Sequence, residues 1–231
     1  MIRKLEWDSN LFGYNVGEYI FNGHGLFEPA EADGFKLIYV ISDEEINYNS
    51  SGLMLVDLKT SLVRKLDNYS ASGKEVINNS FKEEDKVVLL NLALQSGVWS
   101  RFKTDTGFKN GEYEKLYTEW IRGSIEGRIA DFILTERNET NQIIGFVTIE
   151  LENDFGKIGL IAVDGKFRGM GIGKKLITRT FDLVKSQGKE FVRVSTQFEN
   201  RAAMNLYLNN GFQIESKKYI YHWRNYKVKL K

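Results

Sequence analysis

Three glycines at alternate positions, Gly169, Gly171 and Gly173, stand between an apolar strand pattern and an amphipathic helix pattern, and no other segment limits the chain so tightly. The strand pattern Lys157–Val163 runs through Asp164-Gly165-Lys166-Phe167 into Arg168-Gly169-Met170-Gly171-Ile172-Gly173. From about Gly171 to Gln187, residues Ile172, Leu176, Ile177, Phe181 and Val184 fall on one side of a helix, and Gly188 marks its end. A strand, a glycine turn and a helix start aim several backbone N–H groups at one spot. Without Cβ atoms in the way, a ligand can approach that backbone closely. Anions suit such a place. Lys174 and Lys175 support that reading, because positive charge in the first helical turn opposes the helix dipole. Each such charge costs roughly 0.3–1 kcal/mol when exposed, and a bound phosphate or pyrophosphate reverses the sign.

Two familiar phosphate loops do not fit. A P-loop ending at Gly173-Lys174 requires glycine at position 168 and Ser or Thr at 175, where the chain has Arg168 and Lys175. A dinucleotide fingerprint starting at Gly169 requires glycine where Lys174 stands. The spacing that fits is R-x-x-G-x-G, with Arg168, Gly171 and Gly173 in place.

Composition removes other chemistries. The chain has 32 basic and 31 acidic side chains, a formal net charge of +1, so it exerts no long-range pull on nucleic acid or an anionic membrane. It has no cysteine, which excludes disulfides, thiolate catalysis and cysteine-bound metals. Two histidines, His24 and His222, lie far apart in sequence, so no metal site is expected. Charges interrupt the first residues, and no apolar run approaches the roughly 20 residues of a membrane helix. The expectation is a cytoplasmic protein with no membrane or nucleic-acid partner.

Along the chain, Tyr14–Phe21, Phe35–Ile41 and Leu53–Leu58 read as strands, and Asp85–Leu94 fits helix or strand equally. Tyr113, Leu116, Tyr117 and Trp120 predict a helix over Gly111–Ile125. Arg128–Glu136, Ile143–Leu151 and Lys157–Val163 read as successive strands joined by polar turns, which suits antiparallel hairpins. A strand Phe191–Thr196, a helix Arg201–Asn209 and a strand around Tyr219–Trp223 complete the pattern, an α/β (α+β) chain. A boundary is expected near residues 92–98, separating a smaller N-terminal α/β region (1–95) from a second domain (96–231).

The predicted helix Arg201–Asn209 carries its own caps. Asn200 is a good N-cap, Gly211 suits a left-handed C-terminal cap, and Phe212 can close over it. Ala203 and Tyr207 share one face. By spacing alone Tyr207 is a packing residue.

The glycine loop resembles the acetyl-CoA motif R/Q-x-x-G-x-G/A of the GCN5-related N-acetyltransferase (GNAT) family. The block Asn200–Phe212, N-x-x-A-x-x-L-Y-x-x-x-G-F, is similar to that family's second acetyl-CoA motif. The resemblance implies a GNAT fold, a mixed and mostly antiparallel twisted sheet flanked by helices. It implies acetyl-CoA as co-substrate, with residues 96–231 as the catalytic domain and 1–95 on the acceptor side. Backbone groups of Leu160, Ile161, Ala162 and Val163 would pair with the pantetheine arm. Arg168, Gly169, Met170, Gly171, Ile172, Gly173 and Lys174 would hold the pyrophosphate. Asn200 and Asn205 would touch the cofactor, and Tyr207 would protonate the departing thiolate. A tyrosine at its reference pKa of roughly 10 stays protonated at neutral pH, within reach of an alkyl thiol. Direct attack by an amine needs no covalent enzyme intermediate. The base is not legible: Glu150, Glu152 and Glu199 lie near the right strand ends but read as surface carboxylates.

Three upstream segments, Trp7–Gly13, Ser96–Phe102 and Leu116-Tyr117-x-x-Trp120, resemble the branch of dTDP-4-amino-4,6-dideoxygalactose (dTDP-fucosamine) acetyltransferases. This implies a small-molecule amine on a nucleotide-linked deoxyamino sugar, and leaves a homodimer open. Arg101, flanked by Trp99 and Phe102, would bind a nucleotide phosphate while the aromatics stack on base or sugar. It could equally pair with Asp105. The alternatives are an acetyltransferase for peptide, protein or other small amines, and a CoA-binding sensor module without turnover.

Overall fold

The structure is a computed structural model that describes residues 1–23, 32–46, 52–71 and 80–225, so His24 lies outside the described residues. Along the chain come β1 (Arg3–Lys4), α1 (Glu6–Phe12), β2 (Val16–Phe21), β3 (Leu37–Ser42), β4 (Leu53–Lys65), α2 (Glu83–Ser96), α3 (Arg101–Thr104) and α4 (Glu112–Ile125). They are followed by β5 (Phe132–Arg137), β6 (Ile143–Leu151), β7 (Phe155–Val163), α5 (Ile172–Ser186), β8 (Phe191–Gln197), α6 (Arg201–Asn209) and β9 (Gln213–Arg224). The strands form one sheet in the order β1-β2-β3-β9-β4-β8-β7-β6-β5. Among the described residues only β2–β3 and β7–β8 run parallel, so the sheet is mixed and mostly antiparallel.

Each face of the sheet has its own core. On one face, Leu89 and Leu92 of α2 and Leu116 and Ile121 of α4 pack over Phe146, Leu160 and Ala162. On the other, Leu176, Ile177, Phe181 and Val184 of α5 and Met204 of α6 cover Leu62, Val147, Val192 and Val194. Each such fully buried side chain stabilises the fold by about 1.5–3 kcal/mol relative to exposure. No helix among the described residues is long and apolar enough to cross a membrane.

Several elements differ from the sequence pattern for local reasons. The ambiguous run 85–94 is helical, with Glu83, Glu84 and Asp85 in its first turn favouring that choice. Strand β5 starts at Phe132 rather than Arg128, because the Arg128 and Ile129 amides both bond back to the Gly123 carbonyl as the chain leaves α4. Strands β4 and β9 are 13 and 12 residues long, and their polar stretches hide from a reading based on apolar runs. The short elements β1, α1 and α3 carry no periodic signal long enough to read. The expected boundary at residues 92–98 falls at the end of α2 and does not separate two sheets: β4, from the first part, lies between β8 and β9.

Candidate active site

A gap in the middle of the sheet organises the site. Strands β7 and β8 pair only from Phe155↔Phe191 to Ile158↔Val194, and the last five residues of β7 have no partner on that side. The cause is an extra residue in β7: Val147 faces Ile161 and Ile149 faces Ile158 across β6. The displaced Leu160 N–H donates to Thr148 Oγ1 at 2.8 Å. A Cβ on Gly159 would stand 2.8 Å from the same hydroxyl, so the bulge favours glycine there. Beyond it, the Asp164 N–H bonds to the Ile144 carbonyl at 2.9 Å. The antiparallel alternation then turns the groups of Ala162 toward β6 and those of Ile161 and Val163 toward the gap. The Val163 carbonyl accepts from Arg168 Nε at 3.1 Å.

The glycine loop closes one end of this gap. A single 3-10 turn, Gly165–Phe167, is capped by Asp164, whose Oδ1 accepts from the Lys166 N–H at 2.9 Å. Gly169 and Gly171 then take φ of 79° and 80°, the left-handed region that disfavours any side chain. Lys175 is the residue whose N–H bonds back to the Gly171 carbonyl. The amides of Ile172, Gly173 and Lys174 precede that bond, at the positive end of α5. No acidic residue occupies this first turn. Met170 is 67% exposed at the loop tip. Of the two lysines, Lys175 is engaged by Glu136 at 2.6 Å, and Lys174 is exposed. A Cβ on Gly173 would come within 3.3 Å of Leu206, so α5 and α6 meet closely.

Helix α6 has the bounds and caps its sequence predicts. Asn200 Oδ1 accepts from the Ala203 N–H at 3.2 Å, and Gly211 takes φ of 80°. Tyr207 is buried, 5.4 Å from the Phe212 ring, and burial raises its pKa well above the ordinary tyrosine value. Asn205 is exposed on the opposite side of the helix.

On the other face, the polar groups are Asp57 and Gln197, which sequence reasoning missed, and Arg101, which it singled out. Asp57 of β4 is buried, close to the Gln197 side chain at the end of β8, beyond the point where β7 and β8 part. Arg101 Nη1 lies 3.9 Å from its Oδ2. Asp57 Oδ1 and Arg101 Nε find no hydrogen-bond partner among the described residues. Burial pushes the Asp57 carboxyl up to about 6, with the Arg101 charge pulling the other way. Nothing local marks Asp57 in the sequence; only the pairing of β4 with β8 brings it here.

Of the three upstream residues expected to act together, Arg101 and Phe102 are in contact and Trp99 is exposed. Arg101 stacks over the rings of Tyr39 and Phe102, at 4.8 and 4.5 Å. Phe102 itself is buried against Phe12 and Phe108. Ser100 caps the short helix α3 and turns that ring inward. Trp99 is 49% exposed. Asp105, the other partner considered for Arg101, is taken by His222 and Arg224. Glu150 and Glu152 pair with Lys157, and Glu199 with Arg201, all at the surface.

Comparison with known proteins agrees with this architecture. The family model for the acetyltransferase (GNAT) family matches residues 97–212. The chain is 30% identical to dTDP-fucosamine acetyltransferase of Escherichia coli O6:H1, over 94% of this chain and 96% of that protein. It is 24% identical to the spore coat polysaccharide biosynthesis protein SpsD of Bacillus subtilis, over 85% of this chain and 65% of that protein. A solved GCN5-related N-acetyltransferase from Sphaerobacter thermophilus superposes with a TM-score of 0.54 at 16% identity, covering 82% of this chain and 60% of that one. The chain belongs to the GNAT acetyltransferase family. It is an acetyl-CoA-dependent N-acetyltransferase.

Proposed function

We propose that the enzyme acetylates the amino group of a nucleotide-linked deoxyamino sugar, with Tyr207 as general acid and Asp57 as general base. The observation that carries the acceptor class is the extent of the likeness to dTDP-fucosamine acetyltransferase. It runs through the N-terminal part outside residues 97–212, the part that supplies Asp57.

The residues around the gap fit acetyl-CoA. The N–H groups of Ile172, Gly173 and Lys174 suit the pyrophosphate, with Arg168, Gly169, Met170 and Gly171 shaping the loop. Leu160–Val163 offer an unpaired strand edge for the pantetheine amides, a small-molecule form of strand addition. Asn200 caps α6 through the Ala203 N–H and Asn205 lies exposed on its outer side, so their contact with the cofactor rests on the motif alone. Acetyl-CoA supplies an activated acetyl thioester there. The Ile161 N–H, facing the gap, stabilises the negative charge that develops on the carbonyl oxygen. Asp57 accepts the proton that the amine nitrogen loses as the N–C bond forms. Tyr207 donates its proton to sulfur as the C–S bond breaks. Arg101 holds Asp57 in place, and Trp99 lies exposed at the outer end of the same loop.

The test is release of CoA thiol from acetyl-CoA with a dTDP-linked 4-amino-deoxysugar, set against a panel of amine-bearing peptides. Turnover of the sugar nucleotide is expected. Turnover of the peptides alone would overturn the acceptor reading, and no thiol release from any amine would favour a sensor.

A further inference from the structure

Next to Asp57, the same strand offers an acceptor a second charged group. Asp57, Leu58 and Lys59 pair in unbroken register with Ile220, Tyr219 and Lys218 of β9. Side chains two residues apart share a face of the sheet, so Lys59 stands on the Asp57 side, about 7 Å further along β4. Resting on the acceptor reading above, we infer that Lys59 is a specificity-determining residue that holds the phosphate on the sugar's anomeric carbon while Asp57 receives the amino group.

Three observations lead there. The first is an open floor. Past Asp57 this face of the sheet meets solvent: Lys59 and Ser195 are exposed, Ser61 is half-buried, and the Ser61 and Ser195 hydroxyls lie 3.1 Å apart. Lys59 also pairs with Gln197, the last residue of β8. The shelf therefore starts at the gap between β7 and β8 and runs back along β4 and β8. A ligand lying on it meets Lys59 beside Asp57.

The second is charge. The cations around the shelf are engaged from within the protein: Lys218 by Asp43, Lys157 by Glu150 at 2.9 Å, and Arg193 by Glu215 at 3.1 Å. Arg101 faces Asp57. Lys59 makes no ion pair among the described residues. Burial, and then the Arg101 charge, lower the pKa of its ammonium group, with the Asp57 charge pulling the other way. A phosphate at this point offsets the crowding of positive charge.

The third is the inner end of the shelf. Asp57 Oδ1 and Arg101 Nε are buried and find no hydrogen-bond partner among the described residues. Buried polar groups are nearly always paired, so this end suits a polar ligand. In a nucleotide-linked 4-amino-deoxysugar, the carbon bearing the amine and the anomeric carbon are opposite corners of one ring. That ring bridges the interval from Asp57 to Lys59, and the long lysine side chain can close on the phosphate.

The experiment measures kcat and KM for the dTDP-linked 4-amino-deoxysugar with wild type, Lys59→Gln and Lys59→Arg, at pH about 8, where Asp57 is ionised. Lys59→Gln should raise KM about 10-fold and hold kcat within about 2-fold, the pattern of a lost binding contact. Lys59→Arg, which keeps the charge, should recover most of the loss. The acetyl-CoA Kd and the Tm should not change, because the replaced side chain is exposed. If Lys59→Gln keeps the wild-type KM, or loses kcat instead, Lys59 does not hold the phosphate, while the sugar-nucleotide reading stands. If wild type does not acetylate the sugar nucleotide, that reading fails and this inference falls with it.

Discussion

Burial acts in the same direction on both residues proposed for proton transfer, with opposite consequences. It raises the Tyr207 hydroxyl above its ordinary value, so the proton stays on oxygen until a stronger base arrives. A thiolate forming in the same gap also loses hydration, so burial lifts both partners, and the match to a free thiol drawn from sequence is too simple. For Asp57, burial moves the carboxyl to about 6, into the range where a base can both accept and release a proton near neutrality. Wild-type kcat/KM should therefore fall below pH about 6. Asp57→Asn should lose that acid limb and about 10²-fold in rate. The same substitution should stabilise the fold. Asp57 holds its proton more tightly in the fold than in an unfolded chain, where its pKa is roughly 3.9, so its ionisation costs stability as pH rises between the two values. Thermal unfolding should place the variant a few degrees above wild type at neutral pH, with the difference closing below pH about 4. An unchanged pH–rate profile in the variant would remove Asp57 from the chemistry.

At the scale of elements, the bulge in β7 depends on one hydroxyl. Thr148 Oγ1 satisfies the Leu160 N–H, which the missing ladder bond would otherwise strand in the core. Thr148→Val keeps the shape and removes the acceptor, and should cost about 1–3 kcal/mol in urea unfolding. Thr148→Ser should recover most of it, and a Thr148→Val protein of wild-type stability would mean that the bulge is held by packing alone. The elements also differ in how far sequence betrays them. The glycine loop and α6 are legible because their signals are local: φ near 80° at Gly169 and Gly171 requires glycine, and α6 carries both its caps within thirteen residues. The gap is not legible, because its cause is a register shift between β6 and β7 that no single segment displays.

For the whole molecule, the arrangement of β4 matters most. It comes from the N-terminal part yet separates β8 from β9, pairing with both in long antiparallel ladders. A reading that takes segments one at a time divides the chain near residues 92–98, since nothing in Leu53–Lys65 announces its partners. The fragment 96–231 lacks this strand, so it should fail to fold on its own, which circular dichroism and urea titration would reveal. A cooperative unfolding transition in that fragment would make the two parts independent. The same long-range pairing delivers Asp57 to the end of β8, beside the gap. The most direct measurement is a crystal structure with a non-hydrolysable acetyl-CoA analogue. The account predicts the pyrophosphate on the amides of Ile172–Lys174, the carbonyl oxygen on the Ile161 N–H, and the sulfur position facing the Tyr207 hydroxyl. A pantetheine arm running outside the β7–β8 gap, with Tyr207 still sealed in the core, would contradict it.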